Sequence, residues 1–166
     1  MQIETPANAM FRRTTDLFIH RTLKKTPLDV GADRIARTAY AALAILGNLR
    51  AALESTIPLA WTPSDVSPIA AIEVYPAATL VAHGIRSTGY KKRGQVVERR
   101  EIIEALSAKI TIGGSVPDLT QSADVLDAAV CVLAGHDFLA GRAMNPENRK
   151  LAELEGWIWA ARKSLG

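Results

Sequence analysis

Apolar residues recur every three or four positions between Asp33 and Glu54: Ile35, Ala39, Leu43, Leu46, Leu49 and Leu53. That period predicts a helix. Ala and Leu, good helix formers, fill it, and Arg34, Arg37 and Arg50 stand between the apolar positions. Pro58 and Pro63 turn the following stretch into a loop. Residues 69–75, IAAIEVY, are apolar without alternation, which predicts a strand buried on both faces. Pro76 suits the first turn of a helix, and a short one is expected over 76–83, ending near Gly84. A helix follows over about 96–109, then a loop, ITIGGSVPDLT, with a short strand at its start. Residues 122–141 form the most apolar helical stretch, and a helix apolar all round is expected to be buried. A brief helix near 147–154 leads into EGWIWAA, a predicted final strand. Residues 1–29 carry no clear period and are expected to be irregular.

The predicted order is therefore α/β: helix-rich, with a small mixed sheet. Two strands are marginal under this many helices. The shortage points to strands that are missing from the chain, as in a truncated form, or that are supplied by another chain, either a second copy in a homo-oligomer or a complementing protein. The 166 residues make a single domain, long enough to bury a core. A mean hydropathy of +0.07 excludes a disordered chain. No apolar run approaches the roughly 20 residues of a membrane span, and MQIETPANAMFRR lacks the basic-then-apolar order of a secretory signal. The single Cys131 leaves no internal disulfide, so a cytoplasmic location is expected.

The charge pattern narrows the picture. The net charge is +3, but RSTGYKKRGQVVERR gathers Arg86, Lys91, Lys92, Arg93, Arg99 and Arg100 around one acid, Glu98. Such a stretch is either a solvated loop and helix start or an edge that faces phosphate. Tyr90 is its only aromatic, so a stacking platform for single strands is not expected.

Three carboxylates stand in apolar surroundings. Glu73 lies at the end of the predicted strand, where burying a charge is costly. Asp124 and Asp127 are three apart, on one face of the helix that begins near Ser122. Asp124 has a structural explanation, since an acid near a helix start is favoured by capping and by the dipole. Glu73 has one too, as an ion pair with a buried Arg or Lys. Alternatively, the three acids converge on Mg²⁺ or Mn²⁺, which take oxygen ligands and support phosphodiester cleavage. His20, His83 and His136 have no metal-ligand spacing with each other or with Cys131, so zinc is not supported. Cys131 is expected in the core. No G-x-S-x-G elbow or P-loop is present. Trp157 and Trp159 alternate across Ile158, so one ring is expected inside and the other over a neighbouring element or partner.

FRRTTD (11–16), IEVYPAA (72–78), GYKKR (89–93), ADVLDAAVCVLAG (123–135) and EGWIW (155–159), in that order, resemble domain of unknown function 429. That family is described as predicted nucleases with a ribonuclease H-like fold. The resemblance implies a metal-dependent nuclease in which Glu73 is the central-strand acid, and Asp124 and Asp127 are the late-helix pair. It implies Lys91 at the scissile phosphate, and Arg13 and Asp16 in a further motif on the substrate side with Lys92 and Arg93. Residues 1–10 hold no apolar strand and no Asp, where the family's first strand and first catalytic Asp would stand. The chain thus resembles the C-terminal two-thirds of an incomplete ribonuclease H-like domain. Two functions follow: a nuclease, or a non-catalytic interaction or nucleic-acid-binding protein.

Overall fold

The computed structural model describes residues 12–28, 33–66, 68–113 and 119–163. Residues 1–10, read above as lacking a strand and an Asp, lie outside them with residue 11, as do residues 114–118 of the loop before the apolar helix. Among the described residues the chain forms α1 (Thr14–Leu23), α2 (Asp33–Leu53), α3 (Pro76–Ala82), α4 (Val96–Ser107), α5 (Ala123–Leu139) and α6 (Arg149–Glu155). A 3-10 turn spans Pro63–Asp65. Among the described residues no helix is long and apolar enough to cross a membrane.

Five of the six helices fall where periodicity and proline placed them. The sheet does not. The predicted small mixed sheet of an α/β fold is absent among the described residues, which contain no β-strand. The segments expected as strands are extended but touch through isolated bridges only: Leu59 with Ala71, Glu73 with Ile158, and Ala143 with Ala161. Residues 69–75 change partner within two positions, Ala71 toward one neighbour and Glu73 toward another, so no ladder develops. Every one of these residues is half-buried, where the apolar run predicted burial on both faces.

α1 corrects the expectation of an irregular opening. Thr15, Asp16, Ile19 and Leu23 form its buried face. Two of those four are polar, which hid the period. α1 packs on α3 and α6, while α3 and α4 both pack on α5. Three apolar clusters result. Ile19, Leu23, Ala78 and Ala82 meet Ile158 and Ala160 in the first. Leu80, Tyr90, Ile102, Leu106, Leu126, Val130 and Leu133 form the second, between α3, α4 and α5. Phe138, Trp157 and Trp159 anchor the third, so both tryptophans are inside rather than one.

α5 is apolar all round but is buried on one side only. Leu126, Val130, Leu133 and Phe138 are buried, while Val132 and Cys131 are exposed. Cys131 is therefore a surface residue and not part of the core. α2 stands out further. Tyr40, Leu43, Ile45, Leu49 and Leu53 are all exposed along it. Its C-terminal end is held by Arg50, which donates to the Ile57 carbonyl at 2.9 Å.

Candidate nucleic-acid interface

Two polar knots hold the motif residues, and each joins motifs far apart in the sequence. The first forms at the start of α1. Arg13 caps that helix, and its guanidinium forks onto Glu73, with Nη1 to Oε2 at 2.8 Å and Nη2 to Oε1 at 2.7 Å. The same group donates to Asp16 Oδ1 at 3.1 Å, and Asp16 Oδ2 accepts from the Arg13 backbone N–H at 3.0 Å. Planar bidentate geometry makes this the strong form of ion pair. Asp16 is 3% exposed, so its charge requires such a partner. Burial works against the Arg13 charge, but the hydrogen bonds and charges of Glu73 and Asp16 outweigh it and raise its pKa.

Glu155 completes this knot. Its Oε2 accepts from both the backbone N–H and the hydroxyl of Thr14, each at 2.7 Å. Those bonds lower the Glu155 pKa and satisfy a free donor at the helix start. Thr15 accepts from the Ile158 N–H at 2.8 Å, and the Glu73 carbonyl accepts from Trp159 at 2.9 Å. Gly156 lets the last segment pass. Its φ is +88°, and a Cβ there would lie 3.0 Å from Glu73 Oε2 and 3.1 Å from Arg13 Nη1. FRRTTD, IEVYP and EGWIW are thus three parts of one structure. A cleft of about 320 Å³ opens beside it, lined by Arg13, Glu73, Tyr75 and Leu28 among others.

The second knot joins GYKKR to α5. Tyr90 is 1% exposed and donates its hydroxyl to Asp127 Oδ1 at 2.8 Å. Lys91 donates to Asp127 Oδ2, and its ammonium lies over the Tyr90 ring, 4.8 Å from the centroid. Burial, followed by the Asp127 charge, pushes the Tyr90 phenol well above its ordinary pKa, so it stays a donor. Tyr75, at the start of α3, feels burial and the same Asp127 charge, which raise its pKa. The Tyr75 hydroxyl itself donates to the Thr26 carbonyl at 3.3 Å.

Arg99 shapes the loop between Tyr90 and α4. It is 2% exposed. Its Nη1 donates to the carbonyls of Tyr90 and Lys92, at 2.7 and 3.1 Å, and its Nε to the Thr120 carbonyl at 2.6 Å. Gln95 accepts from the Lys92 N–H at 2.8 Å. The backbone of the loop is thereby tied inward, and the side chains of Lys91, Lys92 and Arg93 are left exposed, with Arg100 exposed one turn into α4. Of the remaining cations of this stretch, Arg86 pairs with Glu101 at 2.7 Å.

Of the residues expected at the site, Arg13, Asp16 and Glu73 come together, and Lys91 and Asp127 come together. Lys92 and Arg93 stand free on the adjoining loop. Asp124 joins neither knot: it lies exposed in the first turn of α5, where Ser122 supplies the cap by accepting from the Val125 N–H at 3.4 Å. The alternative readings of Asp124 as a helix-start acid and of Glu73 as an ion-pair partner account for both positions. Among the described residues, no group of three or more His, Cys, Asp or Glu is placed to hold a metal ion. Both oxygens of Glu73 are taken by Arg13, and both of Asp127 by Tyr90 and Lys91. As placed, these residues do not fit Mg²⁺ or Mn²⁺. Two contributors escaped the sequence reading. Arg99 looked like one more surface cation, and its spacing from Lys92 carries no signal of burial. Gly156 had a signal, the Gly after a short helix.

No curated protein matches the chain, and no solved structure matches it. A family model described as Protein of unknown function (DUF429) matches residues 1–151, and the chain belongs to that family.

Proposed function

We propose that the protein binds nucleic acid through the backbone phosphates, using the basic loop at residues 91–93. The observation that carries this is the arrangement of the loop itself. A buried guanidinium, Arg99, ties down the carbonyls of Tyr90 and Lys92, and Lys92 and Arg93 project from a fixed backbone. Cations carried on a fixed backbone need no ordering of the loop on binding, and only their side chains must settle on the phosphates. A solvated loop needs no such clamp. The predicted result is salt-dependent, sequence-independent binding of oligonucleotides, weakened by Lys92→Ala with Arg93→Ala. Binding unchanged in that double variant would remove the proposal.

A second reading is phosphodiester hydrolysis. Lys91 seated against Asp127 supports it, as does the resemblance stated above. Hydrolysis assisted by Mg²⁺ or Mn²⁺ would require carboxylates beyond those that the described residues bring together, such as acids from a complementing chain.

A further inference from the structure

At the opposite end of the α3–α5 pair lies a third polar cluster that the nucleic-acid reading does not use. Asp137 is ten residues beyond Asp127 on α5, about 15 Å along the axis, and is fully buried. A lone buried carboxylate is costly, and this one is spent on two partners. Oδ2 accepts from His83 Nε2 at 2.6 Å, and Oδ1 from Arg142 Nε at 3.0 Å. These bonds outweigh the opposing effect of burial and hold the Asp137 pKa below the usual range. The carboxylate accepts only, so His83 carries its proton on Nε2 and, when neutral, keeps a lone pair on Nδ1. Arg142 also donates Nη2 to His136 Nδ1 at 2.8 Å, which fixes the guanidinium plane.

The backbone adds a second cation. Gly141, at φ +69°, turns the chain after α5 so that Arg142 comes back to Asp137. Ala143 then bridges Ala161 in antiparallel fashion, and Arg162 donates its N–H to the Arg142 carbonyl at 3.3 Å. Arg142 and Arg162 therefore stand opposite each other on two adjacent segments of the chain. Together with His83 they line a pocket of about 400 Å³. The one carboxylate on its wall is already neutralised, so the pocket holds an excess positive charge.

We infer that this pocket is a binding site for a small phosphate monoester. Its terminal oxygens would accept from Arg142 and Arg162, and a protonated phosphate oxygen would donate to the lone pair on His83 Nδ1. Phosphate fits better than carboxylate because three side chains surround the pocket, and forked guanidinium donors match its oxygens. Asp137 is a positioning residue: it orients His83 and Arg142 and does not touch the ligand.

The test is a titration of the full chain with inorganic phosphate, followed by amide NMR shifts and repeated with Arg162→Ala. Arg162 is exposed, so its loss leaves the fold intact. The expected result is saturable shifts at Gly141, Arg142 and Ala161, with affinity about tenfold weaker in Arg162→Ala. The Lys92→Ala/Arg93→Ala double variant should leave these shifts unchanged, which separates this pocket from the basic loop. Shifts confined to residues 90–95, or equal affinity in Arg162→Ala and the parent, would overturn the assignment. So would the absence of saturation at tens of millimolar phosphate.

Discussion

Replacing Arg99 with Met tests whether the basic loop is held from inside. Met keeps the length and the apolar stem but removes every donor. Three carbonyls lose their partner: Tyr90, Lys92 and Thr120. The bond to Tyr90 is fully buried, and an orphaned buried carbonyl costs about 1–3 kcal/mol. The other two carbonyls are near enough to the surface to find water, so each loss costs roughly 0.5–1.5 kcal/mol. Relief from burying a guanidinium offsets part of this. The net destabilisation is therefore about 2–4 kcal/mol, a large share of the 5–15 kcal/mol typical of a domain. Urea unfolding followed by circular dichroism measures it. With a slope near 2 kcal/mol/M, the midpoint should fall by about 1–2 M at unchanged slope. Arg99→Lys should not rescue it, because one ammonium cannot reproduce the planar fork. A loss under 1 kcal/mol, with oligonucleotide binding intact, would refute the clamp.

Asp137→Asn should destabilise the protein at neutral pH by about 3 kcal/mol, by breaking a buried charge pair. Because the folded pKa of Asp137 lies below its unfolded value, the parent's advantage is present above about pH 4. That advantage is lost as pH falls through the folded pKa. Urea unfolding at pH 7 and near pH 2.5 should show the gap between parent and variant closing, and a gap constant across that range would refute the pairing. If the hydrolytic reading holds, incubation of the parent with Mn²⁺ and an oligonucleotide yields cleavage that Asp127→Asn abolishes while circular dichroism shows the variant still folded; cleavage surviving in the variant rules Asp127 out.

The helices were legible because their signals are local. Leu43, Leu46 and Leu49 mark α2, and Pro76 and Gly84 bracket α3. α1 was missed because Thr15 and Asp16 occupy buried positions through contacts with Ile158 and Arg13, which lie far away in sequence or across the cap. The strands were misread for a related reason. Apolar runs at 69–75 and 157–161 do become extended, but pairing depends on what runs beside them, and each finds single bridges instead of a ladder. Apolarity all round α5 predicted burial all round, yet Val132 is 62% exposed because α3 and α4 cover one side only.

The candidate site was legible residue by residue, but its pairings were not. Glu73 stood out as a charge in an apolar run, and an Arg partner was one of two explanations. Only the fold selects Arg13, sixty positions away. Asp127 was marked by its depth in an apolar helix, while its partners Tyr90 and Lys91 were marked only as part of a basic stretch. A buried guanidinium such as Arg99 leaves no trace in composition, since its partners are backbone carbonyls that every sequence has.

The salt dependence of oligonucleotide affinity tests the central claim most directly. Fluorescence anisotropy of a labelled 20-mer, from 50 to 200 mM salt, gives the slope of log K against log salt for the parent and for Lys92→Ala/Arg93→Ala. Each lost phosphate contact should reduce the slope by about 0.7 for a single strand or about 0.9 for a duplex. The double variant should therefore lose about 1.4–1.8 in slope, and near 0.1 M salt roughly 25–60-fold in affinity. A parent that binds no oligonucleotide, or a double variant whose slope matches the parent's, would contradict the account.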